Sequence, residues 1–190
     1  MRNIGILGGT FDPVHNAHLA AAMAAKHQLA LDQVLLVVAN EPWQKNGRAL
    51  APAEVRYEMV ASAIENVAGL EASSIELERP GPTYTIDTVE QLKRADAQLV
   101  LILGSDVAAR LDTWHRADAL RELVTLAVVG RGEGGGAPPG WRTRTVVMPR
   151  LDISSTDLRR RVAAGEPVEF LMPLPAVRLL RERGLYTAER

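Results

Sequence analysis

The sequence predicts an α/β fold: a doubly wound, Rossmann-like parallel sheet flanked by helices in a single domain. Three observations predict it. Short, near-continuous apolar runs recur along the chain, as strands buried on both faces require. Stretches with a helical apolar period separate those runs. A length of 190 residues, 47% hydrophobic and 24% charged, suits one core that needs no staples. Strand and helix signals alternate from the first residues, which is the pattern of helices laid on both faces of a parallel sheet.

The strand signals are Ile4 to Leu7, Val34 to Ala39, Leu99 to Leu103, Val124 to Val129 and Val146 to Met148. Helical periods cover Ala17 to Leu29, Ile86 to Ala95, Ala117 to Leu123, Thr156 to Ala164 and Ala176 to Arg183. Val55, Met59, Val60, Ala63, Ile64 and Val67 fall on one stripe of a further helix. Ser74 to Glu78 reads SIELE, and its strict alternation predicts a short edge strand. Gly130 to Arg142 is too rich in Gly and Pro for a regular element and reads as a mobile loop. From about residue 153 the chain is predicted to be helical.

Several function classes are excluded or disfavoured by composition. The absence of cysteine removes disulfides, thiolate zinc sites and cysteine nucleophiles. The apolar run of MRNIGILGG is too short for a signal peptide, and no stretch approaches the roughly 20 apolar residues of a membrane span. A soluble cytoplasmic protein is expected. The net charge is -1, with ten Arg against six Asp or Glu from Arg142 onward. A general nucleic-acid binder more often carries a strong overall basic excess.

Two constellations carry chemistry. The first strand ends in Gly8-Gly9-Thr10-Phe11-Asp12-Pro13, followed by Val14-His15-Asn16-Ala17-His18 and an alanine-rich helix. In a doubly wound sheet this connection lies where ligands bind, and paired glycines let the backbone approach a phosphate. His15 and His18, spaced i, i+3, stand together at an electropositive helix start. HExxH is absent, and the turn after the first strand does not read GxGxxG, which disfavours zinc and hydride chemistry there. Near the C-terminus, Ile153-Ser154-Ser155-Thr156-Asp157-Leu158-Arg159 opens another helix. Ser154 and Asp157 have capping-box spacing, while Ser155, Thr156 and Arg159 offer hydroxyls, amides and a guanidinium to an anion. Arg160 and Arg161 point elsewhere and read as solvated surface.

These residues resemble a known family. GGTFDPVHNAH is similar to the GGTFDPxHxGH signature of bacterial nicotinate-mononucleotide adenylyltransferases, and Ile153 to Arg159 resembles their ISSTxxR signature. Gly81-Pro82-Thr83-Tyr84-Thr85, Gly104-Ser105-Asp106 and Trp114 resemble further family positions between the two. The resemblance implies adenylyl transfer from ATP, with Mg²⁺ carried mainly on the ATP phosphates. It implies that Gly8, Gly9, Thr10 and Phe11 line the nucleotides, that His15, His18, Ser155, Thr156 and Arg159 meet phosphates, and that Gly104 and Asp106 lie near the adenosine. Thr85 and adjoining amides would receive the nicotinate carboxylate, Trp114 would stack on the pyridine, and Asn40, Lys45, Thr83 and Tyr84 would complete the acceptor site. His15, His18, Lys45 and Arg159 would then act electrostatically.

The sequence departs from the family pattern at Ala17, where the signature has glycine, and at Glu41-Pro42-Trp43-Gln44-Lys45, where Gln44 replaces a histidine. Trp43 to Arg48 reads as a candidate lid. Alternatives are a related transferase with a nicotinamide mononucleotide or phosphopantetheine acceptor, and a noncatalytic nucleotide sensor. A homo-oligomer is compatible with the sequence, and no nucleic-acid or membrane partner is expected.

Overall fold

The computed structural model describes residues 2–41, 50–130 and 136–187. Along the chain run β1 (Arg2–Gly9), α1 (Asn16–Gln28), β2 (Gln33–Val38), α2 (Ala53–Ile64), β3 (Leu70–Ser73), α3 (Thr85–Leu92), β4 (Ala97–Gly104) and the single turn α4 (Ser105–Ala108). A 3₁₀ turn at Leu111–Thr113 leads to α5 (Ala117–Leu123), β5 (Val124–Gly130), β6 (Thr143–Val147), α6 (Ser155–Ala163) and α7 (Leu174–Glu182). All six strands are parallel, in the order β3-β2-β1-β4-β5-β6. The order reverses between β1 and β4, and such a switch point leaves a crevice at the carboxyl ends of the strands. Register shows the crevice opening: β1 stays paired with β2 out to Gly9 and Val38, but its pairing with β4 stops at Ile6 and Leu101.

Alternate strand residues feed two cores. Leu7, Val34, Leu36, Val38, Val100 and Ile102 pack with Ala22, Met59, Leu158 and Val177 of α1, α2, α6 and α7. Ile4, Ile6, Val37, Leu101 and Leu126 pack on the other face with Ile86, Val89, Ala108 and Leu120 of α3, α4 and α5. Doubly buried strands explain why the apolar runs were so continuous. The exceptions are the two edges, β3 and β6, where Leu70 and Val146 respectively are the single buried residues.

Two expectations are corrected. The third strand is Leu70–Ser73, and Ser74 to Glu78 is a turn closed by the Leu77 amide on the Ser74 carbonyl at 2.8 Å. Its alternation arises because Ile75 and Leu77 pack into different cores, with Glu76 buried between them. The glycine-rich loop is pinned at its far end. Trp141 is buried in the second core and its indole N–H donates to Asp112 Oδ1 at 3.4 Å. Residues 131–135 of that loop, and the predicted lid, lie outside the described residues.

One residue of α2 fixes the carboxyl end of the sheet. Arg56 is 1% exposed, and its guanidinium donates to the carbonyls of Ala51 at 2.9 Å, Thr10 at 2.8 Å, Ala39 at 2.7 Å and Asn40 at 3.0 Å. Burial lowers its pKa and the nearby Asp12 carboxylate opposes that pull. Arg56→Leu leaves four inward carbonyls without their donor and takes one of two nearby cations from Asp12, leaving Arg159 as the other. It is expected to lower the free energy of urea unfolding by about 3–5 kcal/mol. A loss below about 1 kcal/mol would show that these carbonyls find other partners.

Candidate active site

β1 runs out through Gly8 and Gly9 into the turn Thr10–Pro13. Gly9 is small for a local reason: a Cβ there would stand 2.9 Å from Cζ of Phe11. Phe11 is buried and has φ of 49°, a left-handed conformation that costs a non-glycine residue about 1–2 kcal/mol. The Asp12–Pro13 peptide is cis. Asp12 points inward and is 1% exposed. Its Oδ1 accepts from the Tyr186 hydroxyl at 2.6 Å and the Ala51 amide at 3.2 Å, and Arg159 Nη1 lies 3.4 Å from its Oδ2.

The start of α6 is fastened to the same turn. Ser154 caps the helix by accepting the Asp157 amide at 3.1 Å, but the reciprocal half of the box is not made. The Asp157 carboxylate instead takes Arg161 at 2.7 Å and Arg160 at 2.9 Å, and those hydrogen bonds lower its pKa. Ser155 donates its hydroxyl to the Pro13 carbonyl at 2.9 Å, and Arg159 donates to the Asp12 carbonyl and to Thr156 Oγ1, the latter at 3.1 Å. Two residues of the second constellation, Ser155 and Arg159, therefore brace the first.

His15 is the N-cap of α1, in extended conformation. Its backbone N–H donates to Nδ1 of His18 at 3.2 Å, so the proton of a neutral His18 sits on Nε2. The two rings stack with centroids 3.6 Å apart, and Phe11 meets His18 edge-on at 5.0 Å. The predicted spacing thus brings the imidazoles together, but they are not equivalent. His18 lines the cavity, whereas His15 is buried and its Nδ1 has no hydrogen-bond partner among the described residues. Burial holds its pKa down at about 4, so the ring is neutral at pH 7.

A cavity of about 380 Å³ occupies the crevice at the switch point. Gly8, Gly9, Thr10 and His18 line one part, Leu103, Gly104 and Val107 another, and Thr83, Tyr84, Thr85, Trp114 and His115 a third. A Cβ on Gly8 or Gly104 would meet no protein atom within 4 Å. Packing does not demand glycine at either position, and both leave backbone open for a ligand to approach. The amide of Thr85 begins α3, whose electropositive end suits an anion.

Other predicted residues stand off the cavity. Asp106 lies in the first turn of α4, with Gly104 as N-cap, and its neighbour Val107 faces the cavity. Asn40 is committed to the fold, donating its side-chain amide to the Arg79 carbonyl at 3.0 Å and giving its own carbonyl to Arg56. Lys45 lies outside the described residues.

Sequence reasoning missed four residues. Arg56 and Tyr186 hold the turn from distant segments. His115 lines the cavity with its ring 4.4 Å from that of Tyr84. Glu76, hidden in SIELE, also lines it, and its carboxylate accepts the Thr88 hydroxyl at 2.6 Å and pairs with Arg79 at 3.8 Å.

A family model described as cytidylyltransferase-like matches residues 6–161. A protein of Clostridium botulinum named probable nicotinate-nucleotide adenylyltransferase is 38% identical over 200 residues, covering 100% of both chains. Another so named, from Roseiflexus sp., is 42% identical over 193 residues, covering 96% of this chain and 97% of its own. The chain belongs to the nicotinate-nucleotide adenylyltransferase family. It is thus a nucleotidyltransferase, and both signature segments lie within the matched region as far as residue 161. In fold it resembles the solved Plasmodium falciparum nicotinic acid mononucleotide adenylyltransferase complexed with NaAD, with a TM-score of 0.77 at 20% identity over 98% of each chain.

The buried histidine of this adenylyltransferase has a pH signature. The unfolded chain protonates His15 near 6.5 and the folded chain only near 4, so its contribution is intact above about pH 6.5 and is lost as pH falls towards 4. At about 1.4 kcal/mol per unit, the loss accumulates to about 3 kcal/mol. Urea midpoints of wild type and His15→Gln, followed from pH 7.5 to 4.5, are expected to fall more steeply for the wild type. Parallel curves would contradict a buried neutral His15.

Proposed function

We propose that this chain transfers the adenylyl group of ATP to nicotinate mononucleotide, forming nicotinate adenine dinucleotide and pyrophosphate. The observation that carries the reading is one cavity that joins Gly8, Gly9, Thr10 and His18 to Thr83, Thr85 and Trp114. One part of its wall suits a polyphosphate and another suits a flat aromatic acid. The names of the similar proteins, and the NaAD bound to the solved one, support the same chemistry.

An oxygen of the acceptor phosphate forms a bond to the α-phosphorus of ATP while the bond from that phosphorus to the bridging oxygen of the β-phosphate breaks. Pyrophosphate leaves. The attacking oxygen is already ionised near neutral pH, so no side chain has to remove a proton, and the protein acts by alignment and charge stabilisation. Backbone of Gly8, Gly9 and Thr10, the Nε2–H of His18, and Thr156 and Arg159 at the start of α6 would hold the phosphates. Neutral His15 would orient His18 through stacking, and Lys45 would add a cation. Mg²⁺ would arrive on the ATP phosphates, since among the described residues no three His, Asp or Glu side chains gather around an ion site.

At the acceptor end, the Thr85 hydroxyl and the amides opening α3 would receive the carboxylate, with the Trp114 face against the pyridine ring. Glu76 does not oppose this. Its charge is matched by Arg79 and the Thr88 hydroxyl.

The test is pyrophosphate release from ATP and Mg²⁺ with nicotinate mononucleotide, nicotinamide mononucleotide or phosphopantetheine as acceptor. Release with nicotinate mononucleotide is expected to exceed the others by at least about tenfold, as a site built for the carboxylate requires. Release with a different acceptor would overturn the acceptor assignment, and none with any would favour a nucleotide sensor. In the same assay His18→Ala, while still folded, is expected to lose roughly 10²–10³-fold in kcat.

A further inference from the structure

Tyr186 stands outside every motif visible in the sequence, yet it touches the turn on which the phosphate site is built. It follows α7 in the segment Gly184-Leu185-Tyr186-Thr187 and has φ of 59°, a left-handed conformation unfavourable for a tyrosine. A strained residue persists where its surroundings over-determine it. Here the determinant is a part-buried hydrogen bond, from the Tyr186 hydroxyl to Oδ1 of the buried Asp12 at 2.6 Å across 174 residues of sequence.

Asp12 divides its two oxygens between different tasks. Oδ1 takes Tyr186 and the Ala51 amide, while Oδ2 faces the Arg159 guanidinium at 3.4 Å. Arg159 in turn reaches the Asp12 carbonyl and Thr156 Oγ1. A carboxylate that loses its shortest partner in a dry site redistributes charge towards the partners that remain. Removal of the phenol hydroxyl would therefore turn Asp12 more fully onto Arg159, in competition with any phosphate. Burial, and next the bond to Asp12, push the phenol pKa far above its ordinary value, so the group is a fixed donor rather than a base.

We propose that Tyr186 is a positioning residue for adenylyl transfer, holding the Asp12 carboxylate so that the Arg159 guanidinium and the Thr10–Pro13 turn are set to meet the polyphosphate. The proposal rests on Arg159 being a phosphate partner in that reaction. A latch that merely secured the C-terminal segment would affect stability and leave the chemistry alone.

The experiment is a double-mutant cycle in the full chain. Tyr186→Phe is expected to lower kcat roughly tenfold, with KM for nicotinate mononucleotide changed by less than about twofold, because the acceptor subsite lies elsewhere in the cavity. Tyr186→His, which restores a ring N–H donor, is expected to recover part of the loss. Combined with Arg159→Lys, Tyr186→Phe is expected to add little to the loss that Arg159→Lys causes alone. Unchanged kcat with a lowered melting temperature, or fully additive losses, would overturn the proposal. If the phenylalanine variant does not fold, the histidine variant carries the same cycle. Wild-type protein inactive with every acceptor would instead defeat the adenylyl-transfer reading. The coupling would then be read from ATP affinity, where non-additive losses support it and additive losses overturn it.

Discussion

A fully buried carboxylate and a fully buried guanidinium, Asp12 and Arg56, fix the carboxyl end of the sheet, where the crevice opens. Asp12 gathers donors from the segment before α2, from α6 and from the residues after α7. Arg56 gathers carbonyls from the exits of β1 and β2 and from Ala51. Taking both charges out of water is costly, and buried ionic groups are not in general a source of net stability. What they supply here is definition: two strand exits, two helices and the C-terminal segment can meet in only one arrangement when every donor and acceptor must be matched. The left-handed conformations of Phe11 and Tyr186 are held within that arrangement.

The reactive surface follows from it. Because β1 and β4 part beyond Ile6 and Leu101, the crevice needs walls, and the braced turn supplies one of them already shaped. His18 is held by the His15 backbone, the His15 ring and Phe11 before any ligand arrives. In the proposed reaction, donors fixed in advance would need little reorganisation as negative charge builds on the departing pyrophosphate.

Patterns that report local geometry were readable in the sequence. Continuous apolar runs gave the central strands, and the two glycine- and serine-containing constellations gave the turns that converge at the switch point. Where a signal depends on distant partners it was lost. SIELE alternates because adjacent side chains enter separate cores, so periodicity alone could not tell it from a strand. Arg56 sits within an amphipathic helix, where a charged residue reads as solvent-facing, and only the carbonyls it meets reveal it as core. Tyr186 and Asp12 are 174 positions apart, and no spacing rule links them. Asn40 entered the expected acceptor site through the family resemblance, and the sequence did not show that its side-chain amide would donate to the Arg79 carbonyl.

That the Thr10–Pro13 turn is built in advance to receive the polyphosphate is the central proposal, and a crystal structure of the protein with a non-hydrolysable ATP analogue and nicotinate mononucleotide tests it most directly. The predicted result is a triphosphate lying along Gly8, Gly9 and Thr10 within hydrogen-bond distance of His18 Nε2 and Arg159. The pyridine ring is predicted on Trp114, and the Thr10–Pro13 backbone is predicted to shift by less than about 1 Å, as a pre-organised site requires. Phosphates bound away from this turn, or a turn that rebuilds with Asp12 released from Arg159 and Tyr186, would contradict it.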